Sequence, residues 1–274
     1  MSDLCETPVT ETPRWSVVVP YFNERDYLPA MLASMRAQTV RPFRLILVDN
    51  GSTDGSADSA RAALSDAAGV DVVFLSETTP GQAAALERGI AAAVTEFTAI
   101  CDADTIYPPD YLARAQARYD SSSAIAVLAT ALYDDPQSFD SSLRRLKMRI
   151  VPHLLRKQCH AGGYAHTFRT VALKYAGGYS RALWPHLRKD HELMHRVWKE
   201  GRVIHDPMLW CRASARRSTV LTKRWTLFER VLYHLTPFQL KDWYFYRFLG
   251  PRMAARRHDE LRLRERPWEA ARAS

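Results

Sequence analysis

Short apolar runs alternate with segments of helical period through the first part of the chain, and that alternation leaves few folds open. The runs are Trp15 to Pro20, Phe43 to Val48, Val70 to Leu75 and a fourth beginning at Thr98. Runs of this kind suit strands buried on both faces, as in a parallel sheet. Between the first two, Asp26 to Gln38 carries Leu28, Met31, Leu32 and Met35 on one helical face. The turn-rich loop Asp49 to Ser56 opens a helix from about Gly55 to Ala67. Gly81 to Val94 is an Ala-rich helix. Strand, helix, strand, helix at short intervals predicts right-handed βαβ units in an α/β fold, a mostly parallel sheet flanked by helices.

The fourth run ends in Cys101-Asp-Ala-Asp104. In open α/β sheets the working site lies beyond the carboxyl ends of the strands. Two carboxylates so close repel each other unless something cationic sits between them. A divalent metal carrying a phosphorylated ligand answers that need. The bland alternative is that Asp104, ahead of Pro108-Pro109-Asp110, simply helps to start a helix.

Further on, Ala124 to Tyr133 reads as a strand. Ser141 to Leu155 reads as a helix that Pro152 ends or kinks. Gly162-Gly163 and Gly177-Gly178 punctuate a loop-rich middle. Arg188 to Lys199 is helical, Arg202 to Ile204 and Met208 to Arg212 are short strands, and the last stretch of the chain is helical. No apolar run approaches the about 20 residues needed to span a bilayer. The polar start, Met1 to Arg14, does not read as a signal peptide. Cys5, Cys101, Cys159 and Cys211 form no C-x-x-C and read as free thiols in a reducing cytoplasm.

These residues together resemble family 2 glycosyltransferases of the GT-A fold. The resemblance is carried by Val17 to Glu24, Leu47 to Ser56, Pro80-Gly81 with Gly89-Ile90, and Cys101 to Asp104. Gly162 through Arg169 leading to Gly177-Gly-Tyr179, and Asp190-His-Glu-Leu193 with Arg196, extend it to about Pro207. It implies inverting transfer of a sugar from a nucleotide-sugar donor to an acceptor hydroxyl, aided by Mn²⁺ or Mg²⁺. Asp190 is the implied general base. Pro20, Tyr21, Asn23, Glu24, Asp49, Gly51, Gly81, Asp102 and Ala103 are the implied nucleotide-sugar contacts. Tyr21 would stack on a base, although a lone Tyr is more often ordinary packing. Asp49 would accept hydrogen bonds from base or ribose; otherwise it shapes the Gly51 turn. Gly81 opens a helix whose N-terminus could face phosphate. Asp102 and Asp104 are the implied metal ligands, hard oxygens that favour Mg²⁺ or Mn²⁺ over Zn²⁺. Arg216 and Arg217 would steady the departing diphosphate, or form a solvated basic loop. Trp184, His191 and Glu192 fall on the acceptor side. Two departures stand out: Cys211-Arg-Ala-Ser214 lacks the metal-binding His common in the family, and Glu87 stands where many relatives carry Asn.

The same residues admit other readings. His191-Glu-Leu-Met-His195 fits the H-E-x-x-H pattern of zinc metalloproteases. It lacks the expected continuation, and no Glu between Glu200 and Glu229 could serve as a third ligand. A sugar nucleotidyltransferase would need a Gly-rich loop after the first strand, and Pro20 to Glu24 has no Gly. A non-catalytic sugar-nucleotide binder would not need Asp102, Asp104 and Asp190 together. The net charge is +8, of which the tail from Lys223 holds twelve Lys and Arg against six Asp and Glu. No nucleic-acid motif accompanies that charge, so no nucleic-acid partner is expected. Phe238 to Leu249 interleaves aromatics with Lys241 and Arg247 and could touch a membrane peripherally, at its inner face, with a lipid-linked or glycan acceptor. The more ordinary role is packing on the catalytic domain. The expected organisation is a polar arm over 1–14, a GT-A domain over 15–222 with nucleotide-sugar and acceptor halves at 15–120 and 121–222, and a basic aromatic helical extension over 223–274.

Overall fold

The computed structural model of the chain describes residues 12–133, 157–159, 162–214 and 226–256. The expected helix Ser141 to Leu155 and the arginines Arg216 and Arg217 lie outside them. The expected α/β alternation is present: β1 (Trp15–Tyr21), α1 (Leu28–Arg36), β2 (Phe43–Asp49), α2 (Ser56–Ala63), β3 (Val70–Ser76), α3 (Gln82–Ala92) and β4 (Phe97–Ile100) follow in order. Strand β1 is buried along its whole length, which is why its sequence is apolar on both faces. It pairs in parallel with β2 on one side and β4 on the other, and β2 pairs in parallel with β3. Helix α3 lies close on this sheet at Gly89. A β-carbon there would come within 2.4 Å of Val18 Cγ1 and 3.1 Å of Val48 Cγ2. Only glycine admits that approach, and it aims the start of α3 at the strand ends.

Four later strands extend the same sheet. They are β5 (Thr105–Ile106), β6 (Ala124–Tyr133), β7 (His166–Arg169) and β8 (Arg202–Ala213), and the order across the eight strands is β3-β2-β1-β4-β7-β6-β8-β5. Strand β7 runs antiparallel between β4 and β6, and β5 antiparallel beside β8. The sheet is therefore parallel at one end and mixed at the other. Two short strands were expected where β8 is one element. Its pairing with β6 slips between Asp206 and Trp210, which oppose the adjacent residues Ala129 and Thr130. Pro207, with no N–H to give the ladder, sits in that bulge, and Asp206 Oδ1 accepts from Met208 N at 2.9 Å. Strand β7 was hidden in the expected loop-rich middle, because four residues of mixed polarity carry no period.

Helix α4 (Tyr111–Asp120) packs one face of the sheet, and α5 (Thr170–Tyr175) and α6 (Lys189–Glu200) pack the other. The C-terminal part is helical but broken. Helix α7 (Leu227–Leu235) ends before Pro237, and a π-helical turn over Trp243–Leu249 leads into α8 (Gly250–Ala255). Trp184, Tyr233, Tyr244, Phe245, Leu249 and Met253 form a separate apolar cluster. The extension is pinned to α6 by Asp242, which accepts from His195 Nε2 at 2.9 Å and from Lys199 Nζ at 2.6 Å. The aromatics Tyr244 and Phe245 are buried in this packing, the more ordinary of the two roles the sequence offered for Phe238 to Leu249.

Candidate active site

The carboxyl ends of β1, β2 and β4 meet, and their loops are knitted together by side chains. Asn23, in the left-handed region at φ 52°, donates its backbone N–H to Ser52 Oγ at 3.0 Å, and its Oδ1 accepts from Thr53 N at 2.7 Å. Glu24 N donates to Ser56 Oγ at 2.8 Å, and the Glu24 residue is buried. Asp49 Oδ1 accepts from Ser52 N at 2.9 Å, shaping the turn at Gly51. Asn50 bridges to the next loop: its amide donates to Glu77 O and Thr79 O, and its Oδ1 accepts from Gly81 N at 2.8 Å. Gly81 and the start of α3 are thereby fixed beside the Asp49 loop. Pro20 and Tyr21 end β1, with Tyr21 opposite Asp49. The Tyr21 ring is only 4% exposed and belongs to the core. Burial, and then the Asp49 charge, push its hydroxyl pKa up. Of the two roles the sequence left open, packing fits this placement better than stacking on a base.

Beyond β4, Asp102, Ala103 and Asp104 form a tight turn, and all three are largely buried. Asp102 N donates to the Tyr107 hydroxyl at 3.2 Å, which itself donates to Tyr164 O at 2.9 Å. Asp102 Oδ1 accepts from Gln82 Nε2 at 2.8 Å, and Gln82 Oε1 accepts from Lys189 Nζ at 2.9 Å. That chain of contacts ties the strand-end carboxylate to the first turn of α6. Asp104 O accepts from Ser214 N at 3.2 Å, so the end of β8 lies against Asp104. The residues there, Cys211 to Ser214, include no His, as the sequence indicated. Two buried carboxylates of hard oxygen atoms suit Mg²⁺ or Mn²⁺, whose other ligands come from water and phosphate. Among the described residues no group of three His, Cys, Asp or Glu could hold a metal unaided.

Asp190 stands in the first turn of α6, next to Lys189. Its Oδ1 accepts from the Tyr179 hydroxyl at 2.9 Å. Burial alone would raise the Asp190 pKa. The charges of Lys189 and His166, the Tyr179 bond and His191 outweigh it and hold the carboxyl below its ordinary value. Tyr179 moves the other way: burial first, then the charge of Asp190, keeps its hydroxyl well above the usual range. Asp102 also acts on Tyr179, so the two carboxylates share one neighbourhood. Gly163 forms the floor. A β-carbon there would lie 2.4 Å from the Tyr179 hydroxyl and 2.5 Å from Asp190 Oδ1.

The H-E-x-x-H residues of α6 serve packing. Glu192 is 1% exposed and grips Arg196 through both oxygens, at 2.7 and 2.9 Å. It also accepts from the Tyr246 hydroxyl. His191 Nδ1 lies 3.4 Å from the Tyr233 hydroxyl, and His195 meets Asp242. A zinc protease would need Glu192 as a base at open water, and here it is bound up in a buried ion pair. Trp184, expected toward the acceptor, is buried edge-on against Phe245 and donates Nε1–H to Leu187 O at 2.8 Å.

Comparison with known proteins adds an independent line. The family model described as Glycosyl transferase family 2 matches residues 16–175, more than half of the chain. The chain belongs to glycosyl transferase family 2. Among curated relatives it is 35% identical over 102 residues to an undecaprenyl-phosphate 4-deoxy-4-formamido-L-arabinose transferase of Serratia proteamaculans (strain 568), a match covering 36% of this chain and 31% of that one. It is 35% identical over 106 residues to a PGL/p-HBAD biosynthesis glycosyltransferase of Mycobacterium bovis (strain BCG / Pasteur 1173P2), covering 38% and 41% respectively. The match thus spans well under half the length of these relatives. Among solved structures, the mannosyltransferase PcManGT from Pyrobaculum calidifontis, in complex with GDP-Man and Mn2+, aligns with TM-score 0.64 at 23% identity, covering 88% of this chain and 69% of that chain. S. aureus TarS 1-349 in complex with UDP-GlcNAc aligns with TM-score 0.60 at 18% identity, covering 88% and 73%. These likenesses establish the GT-A fold.

Several residues of the candidate site carry no signal of their own in the sequence. Gln82, Lys189, Tyr179 and Asn50 link the loops, and Gly163 backs Asp190. The pair Gly162-Gly163 and the motif ending at Tyr179 were the available signals, but without coordinates they gave no partner. Glu87, the departure from the family pattern, accepts from Arg181 N at 2.7 Å and so anchors the segment after Tyr179.

Proposed function

We propose that the chain is an inverting glycosyltransferase that moves a sugar from a nucleoside-diphosphate sugar to an acceptor hydroxyl. The observation that carries this reading is Asp190, a buried carboxylate held ionised beside Tyr179 and joined through Lys189 and Gln82 to Asp102. A base is needed because the acceptor hydroxyl must lose its proton as it attacks the anomeric carbon. The new bond joins the acceptor oxygen to that carbon; the bond to the diphosphate oxygen breaks, and the electron pair leaves with the diphosphate. The proton passes to an Asp190 carboxylate oxygen. Tyr179 and Gly163 fix the direction in which that carboxylate points. Asp49 and the Asn23 loop would take the nucleoside, with Pro20, Glu24, Gly51, Gly81 and Ala103 lining the way to the diphosphate. Asp102 and Asp104 would hold Mn²⁺ or Mg²⁺, which when bound offsets charge on the diphosphate. Arg216 and Arg217 would add to that function. Domain limits at 15–222 and 223–274 accord with this division of labour.

The acceptor is proposed to be carried on a lipid. Support comes from the name of the Serratia relative, which contains undecaprenyl phosphate. The buried, unbridged thiols Cys101 and Cys211 accord with a cytoplasmic location. No helix among the described residues is long and apolar enough to cross a membrane. The names of the structural neighbours differ in both base and sugar, UDP-GlcNAc against GDP-Man, so the donor panel must span both. Thermal-shift assays with UDP- and GDP-sugars, with and without Mn²⁺, test the reading, since a ligand bound only by the native state raises its melting temperature. One donor should stabilise the protein in a metal-dependent way, and Asp104→Ala should remove that dependence. No response to any nucleotide sugar, or an unchanged metal effect in Asp104→Ala, would contradict it.

A further inference from the structure

One surface has no role in the chemistry above. On α7, Leu227, Phe228, Val231 and Leu235 are 78%, 61%, 45% and 73% exposed. At the pitch of an α-helix these four residues fall within an arc of about 100°. The opposite side of α7 is anchored: Glu229 and Tyr233 are buried, and a capping box at Thr226 and Glu229 fixes the helix start. The apolar stripe is therefore displayed by a helix that is already packed. It continues sideways. Phe228 meets the Phe248 ring at 6.0 Å, and Phe248 stacks on Trp243, itself 50% exposed. Leu240, 56% exposed, lies in the same extension.

Cations edge this surface. The Arg252 guanidinium lies over the Phe248 ring, 4.9 Å from its centre, with its side chain 54% exposed. Arg230 and Arg247 are exposed on the same elements. An apolar stripe bordered by Arg, with Trp at its margin, matches the interface of an anionic bilayer. A protein partner of equal area would need acidic groups placed one by one; a lipid surface needs only net negative charge.

We propose that α7, with Trp243 and Phe248, docks the protein on an anionic membrane surface. Within the basic extension this widens the docking role from Phe238 to Leu249, where Tyr244 and Phe245 are buried but Trp243 is exposed, to include the apolar stripe of α7. It also says why the acceptor is amphiphilic. Tyr233, on the buried side of α7, reaches His191, the neighbour of Asp190, so the docked helix stands next to the acceptor side. That last step rests on the glycosyltransferase reading; the docking does not.

Co-sedimentation of the full chain with phosphatidylcholine vesicles, with and without phosphatidylglycerol, is the test. The variants are Leu227→Ser/Phe228→Ser/Leu235→Ser, all at exposed positions, and Arg252→Gln. Wild type should bind the anionic vesicles and lose affinity as salt rises. The triple variant should bind at least about tenfold less, as loss of three inserted side chains requires. Arg252→Gln should lower binding to anionic vesicles only. Equal partition of wild type and triple variant would overturn the proposal. So would a wild-type dimer in light scattering that the triple variant dissolves, with no vesicle binding, since a second copy would then cover the face. Calorimetry with nucleotide sugar on the same samples separates the two readings. If neither protein binds any donor, the transferase reading fails while the vesicle result stands by itself.

Discussion

A methyl group on Gly163 would occupy the space of Asp190 Oδ1 and the Tyr179 hydroxyl, 2.5 and 2.4 Å away. Gly163→Ala must therefore shift the carboxylate or the tyrosine. Misplacement of a catalytic group by about 1 Å costs about 100-fold in rate, so kcat should fall by about that factor. Donor affinity should stay near wild type, because Asp49 and the Asn23 loop lie on other elements. Steady-state kinetics with calorimetric donor binding checks both halves. The ionisation of Asp190 gives a second prediction. Its folded pKa is lowered, by Lys189, His166 and Tyr179 against burial. The carboxylate then contributes stability above its unfolded pKa, and this is lost as pH falls through the lower folded value. Activity follows the same sign. The acid limb of kcat/KM that belongs to Asp190 should lie below the ordinary carboxylate range. A limb near neutrality that vanishes in Asp190→Asn would contradict the assignment.

Helix α6 presents Asp190 and is itself held by Glu192 and Arg196. Glu192 is 1% exposed, and Arg196 also donates to Ala176 O and to Gly178 O at 2.8 Å. Breaking one side of a buried pair leaves an uncompensated charge, at a cost of about 3–5 kcal/mol. Arg196→Met should destabilise by that order in urea melts, and Glu192→Gln by less, since an amide keeps part of the bonding. At this scale the sequence was legible where elements repeat a pattern. Strands β1 to β4 and helices α1 and α3 follow from apolar period and turn residues, and the strand and helix ends gave the Asp49, Gly81 and Asp102 loops. Strands β5 and β7 were not legible, being two and four residues long. The unity of β8 was masked by Pro207, which marks a bulge here and a strand end elsewhere. Likewise Asp190 was readable as a motif, but Gln82 and Lys189 join it to Asp102 only through contacts distant in sequence.

Across the molecule, the extension behaves as part of the fold. Lys241 is buried beneath the Tyr233 ring, 3.5 Å from its centre, and donates to Tyr233 O. Burial lowers its pKa to about 8 from the ordinary 10.5. Between those two values the unfolded chain holds more protons than the folded one, so stability should rise as pH increases through that window. Urea melts at both ends of it should show the rise in wild type and not in Lys241→Met. Asp190 is surrounded by Lys189 and His191 of α6, His166 of β7, Tyr179 and Gly163. The most direct test of its role is Asp190→Asn with the donor identified by thermal shift. The amide can still accept from Tyr179, so the local structure is kept while the charge that takes the proton is removed. The account predicts that turnover collapses by at least about 1,000-fold, with donor affinity within a few-fold of wild type. An Asp190→Asn enzyme that turns over at the wild-type rate would contradict it.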